Sequence, residues 1–370
     1  MTSYDVVVAG LGGFGSAAAA HLAARGQRVL GLDRFPAGHS NGASHGESRI
    51  VRQAYYEGAG YVPLLRRAFE LWDRLERDAS EPLLTRTGGV FIGRPESRVF
   101  AGSLASARQW SLDHEVLDPA EVTRRFPALR PPTGTAALFE PAAGVVSPER
   151  AVRAHLAVAA RHGADLRHDE PLVSCSSTAG AVRVQTGHGS YDVGALVLAP
   201  GRWAPELLRD LALPLRVERR VMHWFDPPGG VERFQPGSFP VWIWDRDDGT
   251  APYGVPAVGG RRGGVKAAVH YSQVKAAEEW SAEELATLLA PLLPELGARH
   301  LRAVECSYTL TPDEHFVVGR HEAHDNVVIA CGFSGHGFKF TPVLGEVLAQ
   351  LVVDGSSPHP VDLFDPGRFG

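Results

Sequence analysis

The sequence is poor in cysteine, and it lacks several features that would place it in a special class of protein. The cysteines, Cys175, Cys306 and Cys331, are too few and too scattered for a disulfide framework or a zinc site. No apolar run is long enough to cross a bilayer, and a net charge of −5 gives no indication of nucleic acid binding. The first strand begins almost at the initiating methionine, without the charged segment of a signal peptide. We therefore expect a cytoplasmic protein that binds no metal, membrane or nucleic acid.

Lysine is also nearly absent, since only Lys266, Lys275 and Lys339 occur among 37 lysines and arginines. Such a bias is most simply explained by genome composition. A lysine amine is nevertheless compact, and its pKa shifts readily when it is buried, so each remaining lysine is a candidate for chemistry that arginine cannot perform. Lys275 lies in a polar run typical of a solvated helix face. Lys266 and Lys339 do not, and they become candidate functional residues.

The chain opens with an apolar strand followed by G-x-G-x-x-G, at Gly10, Gly12 and Gly15, and by an alanine-rich helix. Gly10 permits a tight turn, Gly12 lets the backbone approach a pyrophosphate, and Gly15 lets helix and strand pack closely. Asp33 ends the next strand, where its carboxylate can accept hydrogen bonds from an adenosine ribose and repel a 2′-phosphate. The pattern predicts a dinucleotide-binding unit that takes FAD or NAD rather than NADP.

A length of 370 residues predicts two domains. Helical periodicity is clear from residues 61 to 79, a second helix begins at Ser147-Pro148, and short strands follow from residues 165 to 199. Residues 216–271 indicate a meandering sheet, and residues 326–353 return to a buried strand and a helix. We therefore expect an α/β protein with a Rossmann-like cofactor domain (residues 1–85, 142–215 and 305–370). It is interleaved with a substrate domain on a largely antiparallel sheet (residues 86–141 and 216–304).

Four further segments resemble the family of monomeric sarcosine oxidase and N-methyltryptophan oxidase. They are residues 46–52 (GESRIVR), 266–270 (KAAVH), 306–314 (CSYTLTPDE) and 332–339 (GFSGHGFK). The resemblance runs along the whole chain and is weakest over residues 94–141 and 221–264, where a substrate would be shaped. Ser48 stands where threonine is common in the family, and Glu305 directly precedes the cysteine; neither change gives a reason to expect loss of activity.

The resemblance implies a role for each candidate residue. Cys306 would form a thioether to the 8α-methyl group of FAD, Arg52 and Lys339 would hold the carboxylate of an amino acid, and Lys266 would activate oxygen. His270 would lie beside the substrate amine, on the same strand face as Lys266. Arg49 would face the flavin, with His45 nearby. Tyr253 and Tyr308 are candidates for the substrate pocket, and the expected cofactor contacts are Gly10, Gly12, Gly15, Asp33, Ser48, Cys306, Gly335, Gly337 and Lys339.

The resulting prediction is a monomeric, FAD-dependent amine oxidase for sarcosine or another N-methyl amino acid, with O2 as the acceptor. Three alternatives stay open: a flavoenzyme that tailors a cyclic or biosynthetic amine, an NAD-dependent dehydrogenase, and a non-catalytic flavin-binding module. Trp242 and Trp244 share one strand face, where they could line a pocket for a bulky substrate, although core packing is favoured. His321 and His324 are expected in solvated loops.

Overall fold

The computed structural model describes residues 3–178 and 180–369. In chain order its strands are β1 (Val6–Ala9), β2 (Val29–Leu32), β3 (Arg49–Val51), β4 (Leu84–Arg86), β5 (Gly89–Gly93), β6 (Glu115–Leu117), β7 (Ala136–Glu140), β8 (Gly144–Val146), β9 (Asp165–Arg167), β10 (Leu172–Thr178), β11 (Ala181–Thr186), β12 (Ser190–Val193), β13 (Ala195–Leu198), β14 (Arg216–Phe225), β15 (Val241–Trp244), β16 (Thr250–Val255), β17 (Val265–Ser272), β18 (His300–Leu310), β19 (Val317–His321) and β20 (His324–Cys331). Its helices are α1 (Gly13–Ala24), α2 (Val62–Ala79), α3 (Arg98–Gln109), α4 (Pro119–Arg125), α5 (Pro148–Arg161), α6 (Ala204–Leu207), α7 (Gly260–Gly263), α8 (Ala282–Leu289) and α9 (Thr341–Val353). Within this part of the chain, no helix is both long and apolar enough to cross a membrane.

A six-stranded sheet brings the two ends of the chain together, in the order β19-β20-β13-β1-β2-β9. Its neighbours are parallel except for the antiparallel pair β19-β20. All residues of β1 and β2 are buried, as expected for parallel strands covered on both faces. Helix α1 packs against α5 and α9, and a Cβ on Gly345 would lie only 2.5 Å from that of Ala17. Small residues therefore let these helices approach closely beside the sheet.

An eight-stranded sheet, in the order β18-β14-β17-β16-β15-β5-β7-β6, forms the second layer of the molecule. Its pairs are antiparallel except for β5-β15. One face packs its apolar residues, including Trp242, Trp244, Ala267 and Val269, against Leu289 and its neighbours. The opposite face carries Met222 and Cys306 among others. The tryptophans thus pack the core, as the sequence favoured.

Two smaller sheets complete the fold: β10-β11-β12, and β3-β8-β4, which holds residues 49–51 in place. The predicted α/β architecture is confirmed, with helices α2 and α9 within one residue of their expected bounds. The meander is correct for β15, β16 and β17, but β14 pairs with β17 and β18 rather than with its successor β15. The division into two domains stays a prediction; β18 continues across its boundary at residues 304–305.

Candidate functional site

The glycine loop between β1 and α1 has the geometry that its sequence predicts. Gly10 has a φ of +92°, and a Cβ there would lie 2.4 Å from the carbonyl oxygen of Ala199, while a Cβ on Gly15 would lie 1.7 Å from that of Gly10. Both positions therefore require glycine. Above Gly12, in contrast, a Cβ would meet only the Ser44 hydroxyl at 3.7 Å. Gly12 itself offers no side-chain cap to α1, and the Gly13 N–H donates to the Ser44 hydroxyl at 3.0 Å. An anion at this loop would therefore meet the start of α1 beside that hydroxyl.

A cavity of about 1410 Å³ begins at this loop and extends to Cys306. Asp33 lines it, but its carboxylate already accepts hydrogen bonds from the backbone N–H of Leu11 at 2.6 Å and of Phe35 at 2.9 Å. Each carboxylate oxygen can accept more than one hydrogen bond, so the group both braces the glycine loop and keeps acceptor capacity toward the cavity. Asp33 lies where the sequence predicted it.

The two most separated cofactor motifs meet at this cavity. The ring of Phe14, in the first turn of α1, stacks on that of Phe333 with centroids 3.5 Å apart. Phe333 belongs to the C-terminal glycine-rich segment, whose Gly335 and Gly337 also line the cavity. A Cβ on Gly335 would lie 2.1 Å from the Tyr308 ring, so glycine is required for the backbone to lie against that ring. Both glycines, expected from the sequence to contact the cofactor, thus line the first cavity.

A second cavity, of about 730 Å³, adjoins the first. Both are lined by the same group of residues, which marks their junction: Arg49, Cys306, Tyr308, Gly335 and Phe338. Five further predicted site residues line the second cavity but not the first: Ser48, Arg52, Tyr253, His270 and Lys339. Cys306 therefore lies where a group held in the first cavity would face a molecule held in the second. The Nη2 of Arg49 is 3.4 Å from its sulfur.

Lys266 and His270 lie on the same strand, β17, as predicted. The Nζ of Lys266 is buried and donates to the carbonyl oxygens of Gly46 and Ser48, each at 2.9 Å, and burial followed by the charge of Arg49 lowers its pKa well below 10.5. The Nδ1 of His270 lies 3.4 Å from the Tyr308 hydroxyl. Burial is the main cause that lowers the pKa of His270 to about 3, so this imidazole is neutral at pH 7.

Arg52 and Lys339, the predicted carboxylate-binding pair, are both buried at the second cavity. The Nη2 of Arg52 is already 2.5 Å from a carboxylate oxygen of Glu57. Lys339 has no carboxylate partner among the described residues; its Nζ donates to the carbonyl oxygen of His336 at 2.6 Å. Burial, with the charge of Arg52, lowers the pKa of Lys339 to about 7 against the opposing effect of Glu57. Lys339 is therefore the less compensated cation of the two.

His45 is buried but lines neither cavity. Burial and the neighbouring charge of Arg49 lower its pKa to about 4, so a neutral imidazole lies close to that guanidinium. Lys266 also lines neither cavity, but the hydroxyl of Ser48, which does, is 3.4 Å from its Nζ. Both residues thus contribute from behind the cavity wall rather than from its surface.

Several residues of the second cavity were not predicted from the sequence. Glu57, the partner of Arg52, is one, and Arg220 on β14 is another. His336 bonds to the Tyr55 hydroxyl at 2.5 Å, although it stands within a motif that the sequence analysis quoted. The signal for Glu57 is its place five residues after a candidate arginine that needs a counter-ion when buried. The signal for Arg220 is strand alternation, because Met222 two residues on lies on the same face.

Cys175 is exposed on a strand of the small β10-β11-β12 sheet, whereas Cys331 is buried. One expectation about a histidine is wrong. His321, expected in a solvated loop, is buried at the end of β19, and its Nε2 bonds to Asp210 at 2.9 Å. His324 stacks on it, so that ligand atoms of Asp210, His321 and His324 lie within 4.8 Å of one another. The hydrogen bond accounts for this proximity without a metal.

The donor set of the first cavity fits FAD. The carboxylate of Asp33 would receive the adenosine ribose, the start of α1 the pyrophosphate, and the thiol of Cys306 the ring end of that cofactor. Glycines line both ends of this cavity, so the backbone is bare of side chains at those positions. Gly10, Gly12, Gly15 and Asp33 would hold the adenosine and pyrophosphate end, and Arg49 and Cys306 the ring end.

Comparison with known proteins agrees with this geometry. The model of the family described as FAD dependent oxidoreductase matches residues 5–351. Monomeric sarcosine oxidase of Streptomyces avermitilis is 48% identical over 99% of this chain and 98% of its own. N-methyl-L-tryptophan oxidase of Salmonella heidelberg is 32% identical over 99% of each. A solved structure of NikD, described as an unusual amino acid oxidase, has a TM-score of 0.84 at 25% identity, over 99% of this chain and 98% of that one. The chain therefore belongs to the FAD-dependent oxidoreductase family and, within it, to the group of monomeric sarcosine oxidase and N-methyl-L-tryptophan oxidase.

Proposed function

We propose that this protein oxidises the secondary amine of an N-methyl amino acid with FAD as its cofactor and O2 as the electron acceptor. The net reaction converts the N-methyl amino acid, O2 and water into the demethylated amino acid, formaldehyde and hydrogen peroxide. The observation that carries the proposal is the junction of the two cavities at Cys306, with Lys339 and His270 on the substrate side. The relationship to sarcosine and N-methyl-L-tryptophan oxidases supports the substrate class.

FAD, when bound, supplies the two-electron oxidation of the C–N bond and the return of those electrons to O2. The protein positions the amino acid. Lys339 and Arg52 bind its carboxylate by charge-assisted hydrogen bonds, and Tyr253 and Tyr308 bound the cavity that receives the rest of it. Because the cavity wall is cationic and buried, a bound amine loses its proton more readily than in water. The neutral His270 beside it can accept or donate a hydrogen bond without adding charge.

Two residues support the electron transfer steps. Cys306 is proposed to hold the cofactor covalently through a thioether, since its sulfur lines the junction and Arg49 stands beside it. Lys266 is proposed to stabilise the negative charge that develops on oxygen as it is reduced. Among the described residues Lys266 forms no ion pair, and its Nζ donates to two carbonyl oxygens, so the positive charge of its protonated form is not cancelled by a carboxylate partner.

The other possibilities raised by the sequence are less well supported. Membership of an FAD-dependent family favours FAD over the nicotinamide cofactor of a dehydrogenase. The relatives are named as oxidases of open-chain N-methyl amino acids, which favours these over a cyclic amine. The name of the Streptomyces relative supports a monomer; the cytoplasmic location remains a prediction.

The test is to mix the purified holoenzyme, without oxygen, with a panel of N-methyl amino acids and cyclic imino acids and to follow bleaching of the flavin. We expect N-methyl amino acids to bleach it, and air to restore the colour with release of peroxide and formaldehyde. If only cyclic imino acids bleach the flavin, the protein is instead a flavoenzyme that tailors a cyclic amine. Bleaching without recovery in air would make the protein a dehydrogenase.

A further inference from the structure

The second cavity contains more positive charge than one amino-acid carboxylate requires. Its charged lining residues are four cations, Arg49, Arg52, Arg220 and Lys339, and one carboxylate, Glu57. Arg49 belongs to the junction, and Lys339 with Arg52 forms the proposed carboxylate site. Arg220 remains without a role. It is a buried arginine, 8% exposed, on strand β14 of the eight-stranded sheet.

The immediate contacts of Arg220 orient its guanidinium. Its plane lies over the Tyr308 ring, 4.8 Å from the centroid, and its Nε donates to the carbonyl oxygen of His270 at 3.3 Å. Its Nη1 donates to Glu218 at 2.8 Å and to the carbonyl oxygen of Arg219 at 2.9 Å. These contacts come from both neighbouring strands and from its own, so the group is held rigidly.

The remaining nitrogen, Nη2, has no hydrogen-bond acceptor among the described residues, and it is not sealed off as a buried orphan. Arg220 lines the second cavity, and this nitrogen is the part of its guanidinium that the described protein groups leave without a hydrogen bond. The nearby carboxylate does not cancel the charge, because Glu218 is shared between Arg220 and Arg216, at 2.8 and 2.5 Å. One carboxylate between two guanidinium groups leaves one net positive charge.

Arg220 belongs to a different element of the fold from the residues of the proposed carboxylate site. Arg220 extends from β14, whereas Lys339 comes from the segment before α9 and Arg52 from the segment after β3. His270 lies within the field of both Arg220 and Lys339, each of which disfavours its protonated form. A substrate amine beside His270 would therefore have one cation on the side of its α-carboxylate and a second cation elsewhere on the cavity wall.

We propose that Arg220 is a second anion subsite and that the preferred substrate is an N-methyl amino acid with a carboxylate in its side chain. This inference rests on the proposed function and specifies its substrate class. The guanidinium would bind the side-chain carboxylate through Nη2, with Glu218 and the backbone holding it from behind.

The test compares N-methyl-L-glutamate with N-methyl-L-glutamine, which has nearly the same shape without the charge. We expect kcat/KM to favour the glutamate, and Arg220→Gln to reduce that preference by about tenfold or more, as for loss of a charge-assisted hydrogen bond. Arg219→Gln is the matched control, since Arg219 neighbours Arg220 on β14 and its side chain is 64% exposed. The control should keep the preference.

A binding measurement, independent of turnover, uses glutarate and butyrate as probes. Glutarate should raise the melting temperature of the holoenzyme more than butyrate does, and Arg220→Gln should remove the difference. If Arg220→Gln does not fold, Arg220→Lys serves instead, with the preference weakened because the planar fork is lost. Equal kcat/KM for the two amino acids, or an unchanged preference in the variant, overturns this inference alone. If no N-methyl amino acid bleaches the flavin, the proposed function fails instead.

Discussion

The guanidinium of Arg49 lies beside the sulfur of Cys306, with Nη2 3.4 Å from Sγ, at the point where the two cavities join. Arg49 is held there by further donation to the carbonyl oxygens of Ala43 and Ser48. This contact fixes the sulfur at the junction, where the proposed thioether to the cofactor would form.

This relationship predicts that Cys306→Ser releases the flavin. A serine fills almost the same space but forms no thioether. On precipitation with acid, we expect the yellow colour to stay with the unchanged protein and to move into the supernatant with the variant. Cys175→Ser, at an exposed strand position, is the control and should keep the colour in the pellet. Release of flavin from the unchanged protein would contradict the covalent link.

For Lys266, the prediction concerns the reaction with oxygen. Lys266→Gln keeps N–H donors for the carbonyl oxygens of Gly46 and Ser48 but removes the charge. We expect reoxidation of the reduced enzyme by O2 to slow on the order of 100-fold, a typical cost of losing one preorganised electrostatic contact. Rapid mixing with oxygenated buffer measures this rate, and anaerobic reduction by substrate should change much less.

Lys275 offers the matched control for that experiment. It makes an ion pair with Glu284 and lies over the Trp280 ring, away from both cavities. Lys275→Gln should therefore leave reoxidation at its original rate. If O2 reoxidises the Lys266 and Lys275 variants at equal rates, Lys266 does not activate oxygen.

The buried pair of Arg52 and Glu57 predicts a strong dependence of stability on either partner alone. Burial by itself would raise the pKa of Glu57, but Arg52, helped by His336 and Lys339, lowers it to about 2. Arg52→Gln leaves that carboxylate buried without its partner, which should cost about 3–5 kcal/mol in the free energy of unfolding. Adding Glu57→Gln should recover much of this loss, but not substrate binding. Denaturant unfolding of the three variants measures the coupling; additive losses would contradict it.

Lys339 predicts a pH dependence of carboxylate binding. Its pKa, lowered from 10.5 to about 7 by burial and Arg52, means that the free amine loses its charge as the pH rises above 7. Propionate, which has no amine of its own to titrate, isolates this effect. Its dissociation constant should increase above pH 7, by up to about tenfold per pH unit, and Lys339→Met should bind weakly at every pH. If the affinity of the unchanged protein for propionate does not change with pH, the positive charge that binds the carboxylate does not belong to Lys339.

The same shift affects folding in the opposite sense. Between pH 7 and 10.5 the unfolded chain holds the Lys339 proton and the folded chain does not. The unfolded state thus binds more protons, so the contribution of this group to the free energy of unfolding falls as the pH is lowered through that range. The Lys339 amine therefore destabilises the folded state less at high pH, whereas it binds a carboxylate more strongly at neutral pH.

Much of the cofactor side could be predicted from the sequence because its residues are adjacent along the chain. Gly10, Gly12 and Gly15 form one loop, and their steric requirement is local. Lys266 and His270 are four residues apart on one strand, so that their common face follows from strand periodicity. The junction at Cys306, in contrast, was accessible only through the family resemblance, because no local pattern distinguishes this cysteine from a buried apolar one.

The substrate side could not be predicted as well, since strand pairing decides it. Arg220 ends a segment, residues 216–220, in which four of the five residues are charged. Such a segment is equally typical of an exposed edge strand. Arg220 faces the cavity because β14 lies between β17 and β18 in an antiparallel register that places it opposite Cys306. A shift of one residue would turn Arg219 inward instead. Glu57 likewise becomes part of the site only through a turn that brings it back to Arg52.

The stacked rings of Phe14 and Phe333 have a consequence for biosynthesis. One wall of the cofactor cavity is made near the start of the chain and the other near its end, and β20 and α9 complete the sheet and helix layer around β1 and α1. A nascent chain on the ribosome therefore lacks half of the binding surface until nearly all of it has emerged. We therefore expect cofactor capture to follow translation, and a chain cut short before residue 333 would be released with an unfinished N-terminal layer and with only one wall of the cofactor cavity.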